Sequence, residues 1–491
     1  MQKLVQQILQ EIGPGNMSDV AYDTAWVARL GDIDWELSSR ALNWLVEHQL
    51  PDGSWGAEKP FYYHDRVIST LAAMIALTYR GRRAHDKEQI ERGLLALEKI
   101  TDGATQGLQA DPNGATIGFE MIAPTLVAEA EKLGIIKQQG DSILKRLSKQ
   151  RSQKLSKIQG KMINRNTTMA FSAEMAGIDG QHIIDIDNLQ EDNGSSGDSP
   201  SATAYFSLYV RQQDSNALAY LHKTMQNDGG FPNVAPFDAF EISWTLWNLR
   251  LIPDFVADPK IKPLLDLLAN SWQLGRGIGF ATNYSVKDSD MTSLVFDTLL
   301  QYGYEKDVES ILSYEEQEYF LCYPLEMNPS ISANIHVLGA LRRAGLRKDN
   351  PSIQKAIRFL KQNKGDDRFW VDKWHSSPYY TTAHAIIAAA GYEDSLVRDS
   401  VDWVISSQHP DGSWGMYIPT AEETAYALQA LWVWNQKAGK VEPEVIKAGV
   451  RWLQEHLDGP YQPLWIGKCL YAPNLVIRSA VISALTLGEC P

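Results

Sequence analysis

Cysteine is scarce: there are three in 491 residues, Cys322, Cys469 and Cys490, odd in number and far apart. That pattern excludes a disulfide framework and a cysteine-built zinc site, and it points to a reducing compartment. Long apolar runs are also lacking. The longest, Val67 to Tyr79, is interrupted by Ser and Thr and falls short of the roughly 18 apolar residues that a membrane span requires. The first residues, MQKLVQQILQEIG, are amphipathic and lack a signal-peptide core, so a cytoplasmic protein is expected. Positive charge is in deficit: Lys+Arg 46 against Asp+Glu 60 gives a net charge of −14. Nucleic acid and anionic membrane surfaces are thereby disfavoured as general partners. No GxxxxGK[ST] phosphate loop, HExxH, GxSxG or DDxxD cluster is present. The ten histidines do not fall at metal-ligand spacing, and His336 and His384 read as core residues of helices.

Helical periodicity is abundant and alternating strands are few. Leu4, Ile8 and Ile12 recur every fourth residue, and Leu71, Met74, Ile75 and Thr78 follow the i, i+3, i+4, i+7 rule. Short Gly/Pro/Asp clusters separate these stretches, as turn chemistry demands. The clusters also repeat. Gln49…Gly53-Ser54-Trp55-Gly56 returns as Gln408…Gly412-Ser413-Trp414-Gly415, with weaker copies at Gln190…Gly194-Ser195 and Gln226…Gly230-Phe231. Repeats of this kind predict stacked helical hairpins. Their irregular spacing favours closed rings over an open solenoid. Length alone allows two to four domains.

Three features carry chemistry. The first is an aromatic surplus of Trp 15, Tyr 20 and Phe 13. The second is the segment 145–165, which holds eight Lys/Arg and no acid in an acidic chain. On a helix its Lys154, Lys157 and Lys161 share a face that Gly160 cuts short; a solvated face and a phosphate or diphosphate site both fit. The third is a choice between two Asp-x-Asp runs. Asp185-Ile186-Asp187 is explained by helix initiation. Asp288-Ser289-Asp290 follows the glycine-rich approach Gly275 to Phe280 and opens the apolar run Leu294 to Leu300. Paired carboxyls at the mouth of a buried helix have raised pKa values, which suits one of them to general-acid work.

Taken together, these motifs resemble class II diterpene cyclases over nearly the whole chain. Asp19-Val-Ala-Tyr-Asp-Thr-Ala-Trp26 is similar to the family's SAYDTAW signature, and the Gln…DGSWG turns to its QW motifs. Gly118-Phe119-Glu120, Ser199 to Ala204, Phe240-Glu241, Asp372-Lys373-Trp374 and Leu464 to Tyr471 occur in the family's order. Within the family, the likeness is nearest to bacterial enzymes making kolavenyl and halimadienyl (tuberculosinyl) diphosphates.

The resemblance implies an all-α fold of two α-barrel domains (α/α toroids). The β domain is expected over 1–30 plus 246–491, with a γ domain inserted at 31–245. It implies geranylgeranyl diphosphate as substrate and a protonation-initiated bicyclisation that retains the diphosphate. Asp290 takes the place of the middle, proton-donating residue of the DxDD motif, with Asp288 beside it. Glu120 corresponds to the acidic site linked to Mg²⁺, and Lys154 and Lys468 to diphosphate ligands. Phe280, Trp374, Tyr379 and Tyr380 are expected to line the cavity for carbocations; core packing explains each about as well. Trp55 and Trp414 are expected to be structural. Two departures stand out. The third acidic position of DxDD is Met291, and the catalytic His of copalyl diphosphate synthases is replaced at Ser172, beside Phe171, with no recognisable Asn partner near Asn328. The lost dyad fits a cation that rearranges before deprotonation, hence kolavenyl diphosphate first, with halimadienyl or copalyl diphosphate as alternatives. A cyclase of a prenyl substrate without diphosphate and a non-catalytic helical-repeat binding protein are the rival readings.

Overall fold

A computed structural model gives the fold. It describes residues 2–489 except 16, 82, 111–115, 138–140, 157–161, 254, 256–258, 325, 327 and 366–367; for 2, 101–110, 141–146, 148 and 489 only the helical backbone is described. Lys157, Gly160, Lys161 and Cys490 therefore lie outside the described residues.

Local sequence starts the helices where expected. Asp34, Ser199, Asp214, Asp288, Ser330, Asn350, Ser377 and Thr420 are N-caps whose side chains accept from the first-turn amides. Pro200, Pro351, Pro378 and Pro443 stand in the first turn, where a missing N–H costs nothing.

The helices close into two rings. The second ring has six inner helices: α10 (Asp238–Leu249), α12 (Ser289–Gln301), α14 (Ile331–Arg343), α16 (Pro378–Ala389), α18 (Ala421–Lys437) and α20 (Asn474–Glu489). Each packs on the next, and α20 returns to α10. Outside them lie α11 (Ile261–Ser271), α13 (Glu309–Leu312), α15 (Pro351–Gln362), α17 (Asp394–Ser406) and α19 (Pro443–Glu455), with α1 (Gln2–Glu11) against α20. Burial sorts the layers. Nearly every residue of α16 and α18 is buried, whereas α15 buries one stripe, Ile353, Ala356, Ile357, Phe359 and Leu360.

The first ring is built on α2 (Ala21–Ala28), α4 (Tyr63–Arg80), α6 (Phe119–Lys132) and α8 (Pro200–Tyr205), with α3 (Trp35–Glu47), α5 (Ala84–Ala110), α7 (Asp141–Ser156) and α9 (Ser215–Thr224) around them. The expected domain boundaries move accordingly. Helix α2 packs on α3, α4 and α8, so a cut at residue 30 would leave it in the wrong barrel; a cut at 245 falls inside α10. The crossings lie between α1 and α2 and between α9 and α10.

A short antiparallel hairpin, β1 (Trp465–Ile466) and β2 (Leu470–Tyr471), bridges the rings. Its turn enters the first barrel, where Gly467 O accepts the Ile117 amide at 2.8 Å and the Lys468 amide donates to Asn233 Oδ1 at 3.0 Å.

The repeated turns are helix clamps. Gln408 Nε2 donates to Gly412 O and to Val445 O, at 3.0 and 2.9 Å, and Trp414 Nε1 donates to Val404 O at 2.7 Å. Gln49 and Trp55 repeat this with Gly53, Gln89 and Leu45. A further copy at Trp370, bonded to Leu360 O, lacks the leading Gln and escapes a motif search. Gly412 has φ +96°, and a Cβ there would lie 2.5 Å from Ala448 O. Gly412→Ala is thus expected to destabilise by at least about 1–3 kcal/mol, read as a lower melting temperature.

Candidate active site

A cavity of about 880 Å³ lies between the barrels. The first barrel lends Glu120 at the start of α6, Lys154 at the end of α7, and Phe171. The second lends Asp288, Asp290 and Met291 at the start of α12, together with Phe240, Phe280, Tyr323, Trp374, Tyr380, Trp465 and Tyr471.

The two aspartates differ. Asp288 is the N-cap of α12 and accepts the Met291 amide at 2.7 Å, while its Oδ2 is buried without a partner. Burial foremost, then the adjacent Asp290, pushes its carboxyl well above the usual range, and the Met291 amide pulls it back. Asp290, one turn-position further, meets His336 of α14: Oδ1 to Nδ1 is 2.5 Å. His336 Nε2 lies 3.2 Å from Nδ1 of His384 on α16. Burial, with His336, His375 and Arg250 nearby, lowers the His384 pKa well below the ordinary value, so this ring is neutral. Its Nε2 is buried without a partner. One proton arrangement strands no N–H: His384 Nδ1–H donates to His336 Nε2, and His336 Nδ1–H donates to Asp290 Oδ1. A proton on Asp290 then sits on Oδ2. The histidine N–H would stabilise an Asp290 carboxylate. The core histidines of the sequence reading are thus the partners of Asp290; His336 lies 46 residues away in the chain, and no spacing rule joins them.

Glu120 and Lys154 form an ion pair, 2.5 Å, both partly exposed to the cavity. Among the described residues no three His, Cys, Asp or Glu side chains gather into a metal cage. Glu120 suits the sparser mode in which Mg²⁺ takes one or two carboxylates and completes its shell with substrate phosphate oxygens and water.

Phe280 stacks near Tyr284, ring centroids 4.1 Å apart, and Trp374 meets Tyr323 edge-on at 5.8 Å. Tyr380 presents its ring to the cavity, and its buried hydroxyl has no partner. Three expectations are corrected. Tyr379 does not reach the cavity: one residue along a helix is a rotation of about 100°, and its ring stacks on Trp403 at 4.7 Å. Lys468 is not available to a diphosphate. It is fully buried, and Nζ donates to Glu174 Oε1, Ser199 Oγ and Ser201 Oγ, each at 2.7 Å. Ser172 turns from the cavity toward Gly118, leaving Phe171 in the wall. The competing Asp185 and Asp187 belong to a surface turn, bonded to Asn188 and Arg211.

Phe237 was not singled out in the sequence, and Phe240, Trp465 and Tyr471 stood there only as members of family motifs, with no place in the cavity wall. They come from the α10 approach and the hairpin, and meet only in three dimensions: Phe240 lies 4.1 Å from Phe237 and 5.3 Å from Trp465.

Two α-barrels enclosing an aromatic cavity, with a hydrogen-bonded Asp in its wall, define a class II terpene cyclase. Residues 324–466 match the squalene-hopene cyclase C-terminal domain family. A type B diterpene cyclase of Mycobacterium tuberculosis is 49% identical over 98% of this chain and 98% of its own. An ent-copalyl diphosphate synthase of a Streptomyces species is 31% identical over 91% of this chain and 88% of its own. The structure of ent-copalyl diphosphate synthase from Streptomyces platensis superposes with a TM-score of 0.79 at 27% identity, covering 100% of this chain and 99% of that one. The chain belongs to the class II diterpene cyclases.

Lys468→Ala would leave Glu174 buried and unpaired. A destabilisation of about 3–5 kcal/mol is expected, seen as a fall in melting temperature. An unchanged melting temperature with a raised KM would instead restore Lys468 as a substrate ligand. Tyr379→Phe is expected to leave turnover unchanged, whereas Tyr380→Phe changes rate or product, measured by product analysis.

Proposed function

We propose that this cyclase converts geranylgeranyl diphosphate to a bicyclic diphosphate with a rearranged decalin: kolavenyl diphosphate as first choice, halimadienyl diphosphate as second. The observation that carries the reading is the single cavity to which one barrel lends Asp290 and the other Glu120 and Lys154. Its volume suits a folded twenty-carbon chain.

Asp290 gives its Oδ2 proton to the terminal alkene. Two ring closures follow and leave a tertiary cation on the decalin. Hydride and methyl shifts carry the charge round the rings, and loss of a proton ends the sequence. One proton enters and one leaves, and the diphosphate is kept, so the reaction is an isomerisation. The folded chain lays each alkene over the next, and much of the barrier falls by proximity. Aromatic faces attract each cation without attacking it, at about 0.5–2 kcal/mol per ring. Lys154 holds the diphosphate by charge. Mg²⁺, held by Glu120, would neutralise the phosphate oxygens and fix that end of the substrate. Phe171 and Ser172, where copalyl diphosphate synthases place their histidine, offer no base, which favours a cation that lives long enough to migrate. Met291 at the third motif position offers none either; His336 supplies the polar partner of Asp290.

The test is incubation with geranylgeranyl diphosphate and Mg²⁺, dephosphorylation, and NMR of the alcohol. A clerodane or halimadane alcohol is expected; copalol would overturn the argument from the missing histidine. Asp290→Asn is expected to cut kcat by about 10²–10⁴-fold. Lys154→Ala is expected to cause a large loss of turnover; unchanged turnover would favour a substrate without diphosphate.

A further inference from the structure

Behind the cavity wall sits a carboxylate with no cation of its own. Glu422, in the first turn of α18, is 2% exposed. Its Oε1 accepts from Trp465 Nε1 at 2.7 Å and from the Tyr426 hydroxyl at 3.1 Å, and lies 3.4 Å from His375 Nε2. Its Oε2 is buried without a partner. His375 Nδ1 accepts the Ser377 amide at 3.1 Å, so the ring proton is on Nε2, facing Glu422, and the imidazole is neutral. Burial and the Glu422 charge push the Tyr426 and Tyr471 phenols up, so both keep their protons. Among the described residues, His375 is the only basic side chain within ion-pair distance of Glu422. Buried carboxylates are ordinarily paired with a cation, because burying one alone is costly.

Trp465 and His375 line the cavity, and Tyr380 stacks on His375 with ring centroids 4.7 Å apart and planes at 11°. We propose that Glu422 is a built-in counter-anion for the carbocation, a positioning residue that acts through the Trp465 indole and the His375 imidazole. The missing cation is then the reacting substrate. Each ring donates its N–H to the carboxylate. That polarises the ring toward the cavity and strengthens its attraction for positive charge. The inference rests on the cation chemistry proposed above.

Glu422→Gln keeps an acceptor for Trp465 and removes the charge. Binding is measured for two bicyclic diphosphates, one with a protonated tertiary amine in the decalin and one with carbon in its place. The wild-type protein is expected to prefer the ammonium compound. Glu422→Gln is expected to lose about tenfold of that preference while binding the carbon compound as before. Equal preference in the two proteins overturns the proposal. Glu422→Asp keeps the charge and is expected to retain the preference; an equal loss in both variants also overturns it. With geranylgeranyl diphosphate, Glu422→Gln should lower kcat at unchanged KM and shift products toward skeletons deprotonated before the migrations finish. If the wild-type protein leaves geranylgeranyl diphosphate unchanged, the proposed substrate fails, and the ammonium preference still reads the counter-anion.

Discussion

The buried ion pair between Lys468 and Glu174 is the constraint on which the two-barrel arrangement rests. Lys468 sits at the turn of a hairpin from the second barrel, and its ammonium is carried into the first. There every donor is used: Glu174 and two serine hydroxyls at 2.7 Å, with the Phe171 ring 4.4 Å from Nζ. Burying a lysine this deeply is tolerable only because the site is fully made. The Tyr-Asp pair of the N-terminal signature builds it. Tyr22 donates to Glu174, and Asp23 accepts from the Ser201 amide and from Asn233, which in turn receives the Lys468 amide. Burial raises the Asp23 pKa, and Lys468 is the largest influence holding it down. The strands on either side of the turn hold Trp465 and Tyr471 in the cavity wall. One ion pair thus fixes both the relation of the barrels and two of the rings between them.

Asp290, the acid proposed above, sits within the same economy of buried charge. A third carboxyl beside Asp290 would add negative charge to the proton-donating end; Met291 adds none. Asp288 is held mostly by desolvation in a form that caps α12. The polar partner of Asp290 comes instead from across the barrel. His336 and His384 stand on successive inner helices, and the tight α12, α14, α16 packing sets the 2.5 and 3.2 Å contacts. The tryptophans behind them, Trp244 and Trp247, lie 5.1 and 4.8 Å from the His384 ring.

What the sequence made legible follows the range of each interaction. The Trp55 and Trp414 clamps repeat one run of residues, so composition and spacing are enough to find them. The Trp370 clamp escapes because Lys364 stands at the place of the glutamine; its Nζ donates to Leu396 O, and the Trp370 amide and indole bonds to Thr382 and Leu360 are kept. Asp288 was recognisable as a helix start, and Asp290 as a carboxyl at the mouth of an apolar helix. Glu120, Lys154, Phe280 and Trp374 reach the cavity from different elements, and family order located them. Adjacent Tyr379 and Tyr380 could not be told apart before the rotation of α16 was known. Lys468 misled because a lysine in a polar-looking turn reads as exposed, and only the neighbouring barrel shows what buries it. The boundaries at 30 and 245 failed for a related reason: membership of a ring is decided by packing, and α2 carries no local sign of its partners.

The placement of charge also explains why the rings are where they are. Lys154 and Glu120 are exposed enough to exchange a partner for a diphosphate, whereas Asp288, Glu422 and Lys468 are sealed. The Glu120–Lys154 pair lines the cavity from the first barrel, and a Lys373–Glu326 pair lines it from the second. In the proposed reaction, Lys154 and Glu120 at one end and Asp290 at the other would let a diphosphate and a reactive carbocation share one molecule. The low local dielectric then makes the attraction between fixed anion, ring and cation count for far more than it would in water.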